Sequence, residues 1–172
     1  MSKAVIATVA EDRPGLVSEL SALVHDLGLN IEDSRMSVLG GEFAVLMSVS
    51  GNDAALGLLE EKLAGQAEGG GFAFLFRKTV DRSGAPGQRL LVTIETMDHP
   101  GIVSGVAAFF STRGVNIREL TTDTERAPHT GAPVFNLQME VEVPAEEQIA
   151  RLREAFQSFC EQQGLDGQLI DS

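Results

Sequence analysis

Asp12-Arg13-Pro14-Gly15-Leu16-Val17 returns 86 positions later as Asp98-His99-Pro100-Gly101-Ile102-Val103, and these two stretches hold the residues whose types and spacing can do chemistry. Each sets a carboxylate, a basic or imidazole side chain and a Pro-Gly pair ahead of an apolar stretch with helical spacing. The first N–H groups of a helix have no acceptor within it, and the helix dipole favours an anion beside them. Proline here reads as fixing φ for the helix start. The glycine, read as the third helical position, keeps the approach free of a side chain. A ligand carboxylate can then reach the N–H groups of Gly15, Leu16 and Val17, or of Gly101, Ile102 and Val103. An ammonium on the same ligand needs acceptors. The candidates are Asp12 or Asp98 and the side chain and carbonyl of Asn30 or Asn116, each followed by isoleucine (Ile31, Ile117) at what reads as the neighbouring strand start. A free amino acid carries both groups. The residues also have a plainer reading, in which Asp is an N-cap and Gly28-x-Asn30 or Gly114-x-Asn116 is a helix stop followed by a strand. On the residues alone both readings stay open. The first predicts that leucine at Gly15 or Gly101 blocks the ligand and changes stability little.

Arg13 and His99 hold the same place in the two copies, either over the ligand or simply facing solvent. Ser18, Ser104, Asp98 and His99 are the only group that could converge as a nucleophile with its base. The first copy has Arg13 where the base is needed, so no catalytic residue is expected. His25 and His129 have no Cys or His at ligand spacing, and the expectation is neither a metal site nor a cofactor. Cys160 falls on an apolar stripe with Ile149, Leu152, Phe156 and Phe159 and reads as a small buried hydrophobe.

These motifs require a strand before them and a helix after them, and the chain supplies both twice. Ala4 to Val9 is a β-branched run, and the apolar residues at 16, 17, 20, 23, 24 and 27 form an amphipathic stripe. Their counterparts Ile102, Val103, Val106, Phe109 and Phe110 keep the offset. Asn30–Leu39 and Glu42–Ser50 around Gly40-Gly41 read as a hairpin. Its alternation breaks after Ile31, which predicts a bulge near Asp33 or Ser34. A helix capped by Asn52 through about Ala64 and a strand at Phe72–Lys78 complete the first copy. The second reads as a strand at 89–96, a helix at about 101–113, strands near 116–124 and 134–143, a helix from Ala145 to about Gln163 and a strand at 166–170. Its hairpin is expanded at 125–133. The order βαββαβ, taken twice, predicts an α+β fold with a four-stranded antiparallel sheet and two helices on one face in each copy, the ferredoxin-like arrangement. The expected domains are 1–80 and 89–172, with 81–88 as a turn-rich linker.

Composition narrows the partners. Net charge is −12, with 7 basic and 12 acidic residues in 1–86 and 6 and 13 in 87–172. With no basic cluster, direct nucleic-acid binding is not expected. One cysteine excludes an intramolecular disulfide, and neither a secretory leader nor an apolar run of transmembrane length is present, so a cytoplasmic chain with no membrane partner is expected. Small halves with exposed sheet edges predict that the copies pack together and that the chain forms a homodimer.

Asp12-Arg13-Pro14-Gly15 followed by Gly28-x-Asn30-Ile31 resembles the ACT domain, a βαββαβ module that binds amino acids and other small ligands for regulation. Asn30-Ile31-Glu32-Asp33-Ser34-Arg35-Met36, continuing through Leu39-Gly40-Gly41-Glu42-Phe43, is similar more specifically to the glycine cleavage system transcriptional repressor family, whose members are two ACT domains and little else. The resemblance covers essentially the whole chain, including Ala132-Pro133-Val134-Phe135-Asn136-Leu137. It implies a regulator that senses a small amino acid, with glycine a candidate, and acts on a LysR-type transcriptional activator without reading DNA itself. It also implies a ligand lying between two modules, against the Asp-x-Pro-Gly loop of one. The alternative is an ACT dimerisation or interaction module that binds no ligand.

Overall fold

The computed structural model describes residues 1–80, 87–128 and 130–171. The chain divides into two compact units, Met1–Arg82 and Ser83–Ser172. The first runs β1 (Ser2–Glu11), α1 (Leu16–Asp26), β2 (Asn30–Leu39), β3 (Glu42–Gly51), α2 (Asp53–Glu68) and β4 (Phe72–Thr79). The second repeats this as β5 (Gln88–Met97), α3 (Ile102–Ser111), β6 (Asn116–Arg126), β7 (Pro133–Val143), α4 (Ile149–Gln163) and β8 (Asp166–Asp171). Each sheet is antiparallel, ordered β2-β3-β1-β4 and β6-β7-β5-β8. This is the ferredoxin-like fold expected from the order of elements. Of the expected linker 81–88, residues 81–86 lie outside the described residues, while Gln88 already pairs with Val143 in the sheet.

One face of each sheet is covered. In β1, Ala4, Ile6, Thr8 and Ala10 are buried at every second position, as a strand with one packed face requires. They meet Leu16, Leu20 and Val24 of α1 and Leu56, Leu59 and Leu63 of α2. In the second unit Phe110 and Phe156 are the largest fully buried side chains, with Phe109 packed edge-on to both. Cys160 is 1 % exposed beside them, as its stripe predicted.

The hairpin bulge falls one residue earlier than expected. Pairing jumps between Ile31 and Asp33, leaving Glu32 as the extra residue, and the second copy repeats this at Arg118. The bulge reverses parity, so Ile31 and Met36 both pack on the core. Asn52 caps α2, its side-chain oxygen accepting from the Ala55 N–H at 2.7 Å. This helix runs four residues past Ala64, to the Gly69-Gly70-Gly71 stop. In contrast α4 starts four residues later than expected, because Pro144 to Glu147 is spent on a turn closed by the Glu147 N–H on the Pro144 carbonyl at 3.0 Å. No helix among the described residues is long and apolar enough to cross a membrane.

Candidate functional site

In both copies the motif glycine stands just outside the helix. Gly15 has φ +94° and Gly101 φ +98°, both left-handed N-cap residues. The third-helical-position reading is therefore corrected: the chain must swing out of the strand and into the helix within four residues, and a positive φ makes that corner. Asp12 and Asp98 do not act as N-caps either, since no side chain caps α1 or α3. The first intrahelical bond in each copy runs to the glycine carbonyl, from Glu19 N–H and from Gly105 N–H at 2.9 Å. The N–H groups of Leu16, Val17 and Ser18, and of Ile102, Val103 and Ser104, thus precede the helical ladder. Leu16 N–H makes only a long 3.4 Å contact with the Arg13 carbonyl.

The first copy builds a cleft of ≈ 320 Å³ on this corner. Ala10 and Glu11 from the end of β1, Arg13 from the loop, and Leu16, Glu19 and Leu20 from α1 form one side, and Gln66, Gly70, Gly71 and Phe72 form the other. Sheet order places these together: β4 lies antiparallel against β1, with Ala10 opposite Phe72, so the glycines before β4 must flank the end of β1. Arg13 donates to both Glu19 oxygens, at 2.7 and 2.5 Å. That hydrogen bonding holds the Glu19 carboxyl below the usual carboxylate range and raises the guanidinium further. Two carboxylates and one cation therefore face the cleft. The second copy carries Met97, His99 and Gly105 at the places of Glu11, Arg13 and Glu19, and has lost this charge pattern.

Asn30 and Asn116 are not at the motif loops of their own units. Asn30 pairs with Ser50, which lies opposite Lys3, whereas Asp12 follows Glu11 at the other end of β1. The eight steps along the strand from Lys3 to Glu11 span roughly 26 Å at 3.3 Å per residue. Asn116 pairs with Glu142, opposite Arg89, again at the far end from Asp98. A free amino acid cannot touch both places within one unit. The expected pairing fails because α1 and α3 carry the chain back down the sheet before the next strand begins. Ile31 and Ile117 pack against the cores instead of facing a site. Asp12, Arg13, Pro14, Asp98, His99 and Pro100 are exposed, as are Val17 and Val103 on the outer side of the first helical turn, while Leu16 and Ile102 are buried beneath it.

Glu11, Glu19, Gln66, Gly70 and Gly71 were not among the expected site residues. The βαββαβ order, which forces the last strand beside the first, was the available signal for the glycines; Glu19 required the geometry of the turn. Ser104, Asp98 and His99 form no relay. The Ser104 hydroxyl donates to the Gly101 carbonyl at 2.9 Å, and His99 Nδ1 lies 3.2 Å from the Pro100 carbonyl. Among the described residues no cluster of three or more His, Cys, Asp or Glu could hold a metal ion. His25 is exposed on α1, and His129 lies outside the described residues.

The ACT domain family model matches residues 3–76, the copy that holds the charged cleft. The glycine cleavage system transcriptional repressor of Escherichia coli is 30 % identical over 166 residues, covering 96 % of this chain and 87 % of the relative. A UPF0237 protein of Methanopyrus kandleri is 38 % identical over 65 residues, 37 % of this chain and 72 % of the relative. Among solved structures, an unknown protein from Galdieria sulphuraria superposes with a TM-score of 0.84 at 29 % identity, covering 99 % of this chain and 98 % of that one. A protein described as a candidate glycine cleavage system transcriptional repressor gives 0.74 at 25 % identity, with the same coverage.

Proposed function

The chain belongs to the ACT-domain family of the glycine cleavage system transcriptional repressor, a family of regulators, and from that premise we propose that it senses a small amino acid and passes the signal to a protein partner in the cytoplasm. The charge pattern of the first-unit cleft carries this reading. A zwitterion presents a carboxylate and an ammonium a few ångströms apart. Arg13, backed by the positive start of α1, suits the carboxylate, and Glu11 and Glu19 suit the ammonium. Arg13 spends two of its five donors on Glu19 and keeps the rest for a ligand. The second copy, with Met97, His99 and Gly105, offers no such complement. No catalytic role is assigned.

The partner is a protein because the chain is ill-suited to DNA. Its net charge is −12. Every described helix lies between strands, so no two consecutive helices can form a helix-turn-helix. By family resemblance the partner is a LysR-type activator, and glycine is the first ligand to test. The expected result on DNA is no sequence-specific binding by the pure chain; a gel shift with an affinity better than about micromolar overturns it.

A thermal-shift screen of the amino acids tests the ligand. Ligand at 100 times its Kd adds about 2.7 kcal/mol, which moves a domain of this size by several degrees or more. Arg13→Ala removes a charge-assisted bond of about 1.5–3 kcal/mol and weakens the hit roughly ten- to a hundredfold, while His99→Ala leaves it unchanged. The second reading, an interaction module without ligand, draws on the Arg13–Glu19 pair, which already satisfies the cleft. A screen with no hit, in a protein that melts cooperatively, favours that reading.

A further inference from the structure

An antiparallel sheet packed on helices at one face turns the other to water, where polar side chains belong. The second unit obeys this, with Asp123, Asn136, Glu95 and Asp166 in one row across its open face. The first unit is divided. On β2 the open face is polar along most of its length, with Asp33 paired to Arg35 and Ser37 beyond them. The other three strands carry an apolar band. Leu46 of β3 and Leu75 of β4 flank Ala7 of β1, with Val5 and Val9 in the adjoining rows. Leu46, Val9 and Leu75 are 48 %, 47 % and 67 % exposed. A contiguous apolar patch of this kind marks a surface built to be covered. Three strands at about 4.8 Å make a band some 14 Å wide, room for one helix of about 10–12 Å. A second sheet would press on the Asp33–Arg35 pair and Ser37 as well.

The two ends of the band differ in charge. At one, Glu11 and Glu42 are direct cross-strand partners, like charges that repel unless something positive lies over them. At the other, Arg77 makes no ion pair among the described residues, and a hollow of ≈ 530 Å³ opens beside it, lined also by Val5, Lys78 and Val80. A helix carries the complementary pattern in its backbone, free N–H groups and positive charge at its start, free carbonyls and negative charge at its end. We propose that the open face of the first sheet docks one amphipathic helix of the protein partner. The helix lies along β1 on its apolar stripe, its first turn over Glu11 and Glu42 and its last turn at Arg77. Six steps of β1 separate Glu11 from Val5, roughly 20 Å at 3.3 Å per residue, which a helix of about 13 residues spans. Basic side chains in the first turn and acidic ones in the last strengthen both ends, which fixes the chemistry and the direction of the occupant. This inference rests on the reading that a protein partner receives the signal, and not on the cleft taking a ligand.

Fluorescence anisotropy of the full chain with two stapled helical peptides of that length tests it. Both carry leucines at helical spacing; one has lysines in its first turn and glutamates in its last, and the other has these charges exchanged. The expected result is that the first binds at least tenfold tighter than the second. Leu75→Asp, at an exposed position of an edge strand, weakens it at least tenfold without changing the circular dichroism. Arg77→Glu combined with Glu42→Lys inverts the preference in favour of the second peptide, which mere stickiness of the face would not do. Failure of both peptides to bind below about millimolar, equal affinity for the two, or indifference to Leu75→Asp each overturns the proposal, while the thermal-shift screen of the cleft is unaffected. Self-association of the chain, or binding to phosphatidylserine vesicles, that Leu75→Asp abolishes gives the face to another occupant and overturns it as well.

Discussion

Phe156→Ala lowers the stability of the second unit by about 3–5 kcal/mol, enough to melt it well before the first. Phe156 is 1 % exposed, with ring centroids of Phe109, Phe110 and Phe159 at 5.5, 5.6 and 6.3 Å, so truncation leaves a cavity that three neighbouring rings cannot refill without breaking their own packing. Each unit has its own core, so the loss stays local, and a ligand found for the first-unit cleft still binds. Cys160 reports the opening. Burial pushes its thiol up to about 11, so the folded chain resists thiol reagents at neutral pH and the variant reacts as its second unit opens. The same shift has a pH consequence. The unfolded chain releases this proton first, so this group's contribution to stability is intact below the ordinary thiol range and is lost as pH rises toward 11. A single melting transition unshifted from that of the parent chain, with Cys160 still protected, would show that this core does not hold the second unit together.

Gly15→Leu and Gly101→Leu each destabilise their own unit by about 1–3 kcal/mol, because φ of +94° and +98° lies where an L side chain is strained. At about 4–8 °C per kcal/mol for a domain of this size, differential scanning calorimetry resolves the effect. The two differ in function. A side chain at Gly15 starts 3.7 Å from the Glu19 carboxylate and projects toward the charged cleft, so ligand binding is lost. Gly101→Leu leaves it intact. Gly57→Ala is the control: it lies inside α2, a Cβ there meets nothing within 4 Å, and stability rises by about 0.5–1 kcal/mol. Melting of Gly15→Leu at the parent temperature contradicts the left-handed corner, and unaltered affinity in that variant places the ligand elsewhere.

The order of elements, the duplication and the packed faces were legible because each is local or periodic. Alternation in Ala4–Ala10 and helical spacing in Leu16–Val24 need no partner to be read, and the constant offset of 86 needs only counting. Even the bulge announced itself, through the broken parity after Ile31. What the chain alone determined was therefore two ferredoxin-like units, each with a corner able to present free N–H groups. Tertiary structure decided which residues share that corner. Asp12 and Asn30 look adjacent in a motif but stand at opposite ends of a sheet, since a helix between them reverses the chain. Glu11 and Gly70, nearly sixty residues apart, share a cleft because β4 returns beside β1. The sign of φ at Gly15 likewise came from the sharpness of the corner, which composition does not encode. The same holds for the open face of the first sheet. Val5, Leu46 and Leu75 are unremarkable one at a time, and only strand register, which sets the neighbours across a sheet, makes them one surface.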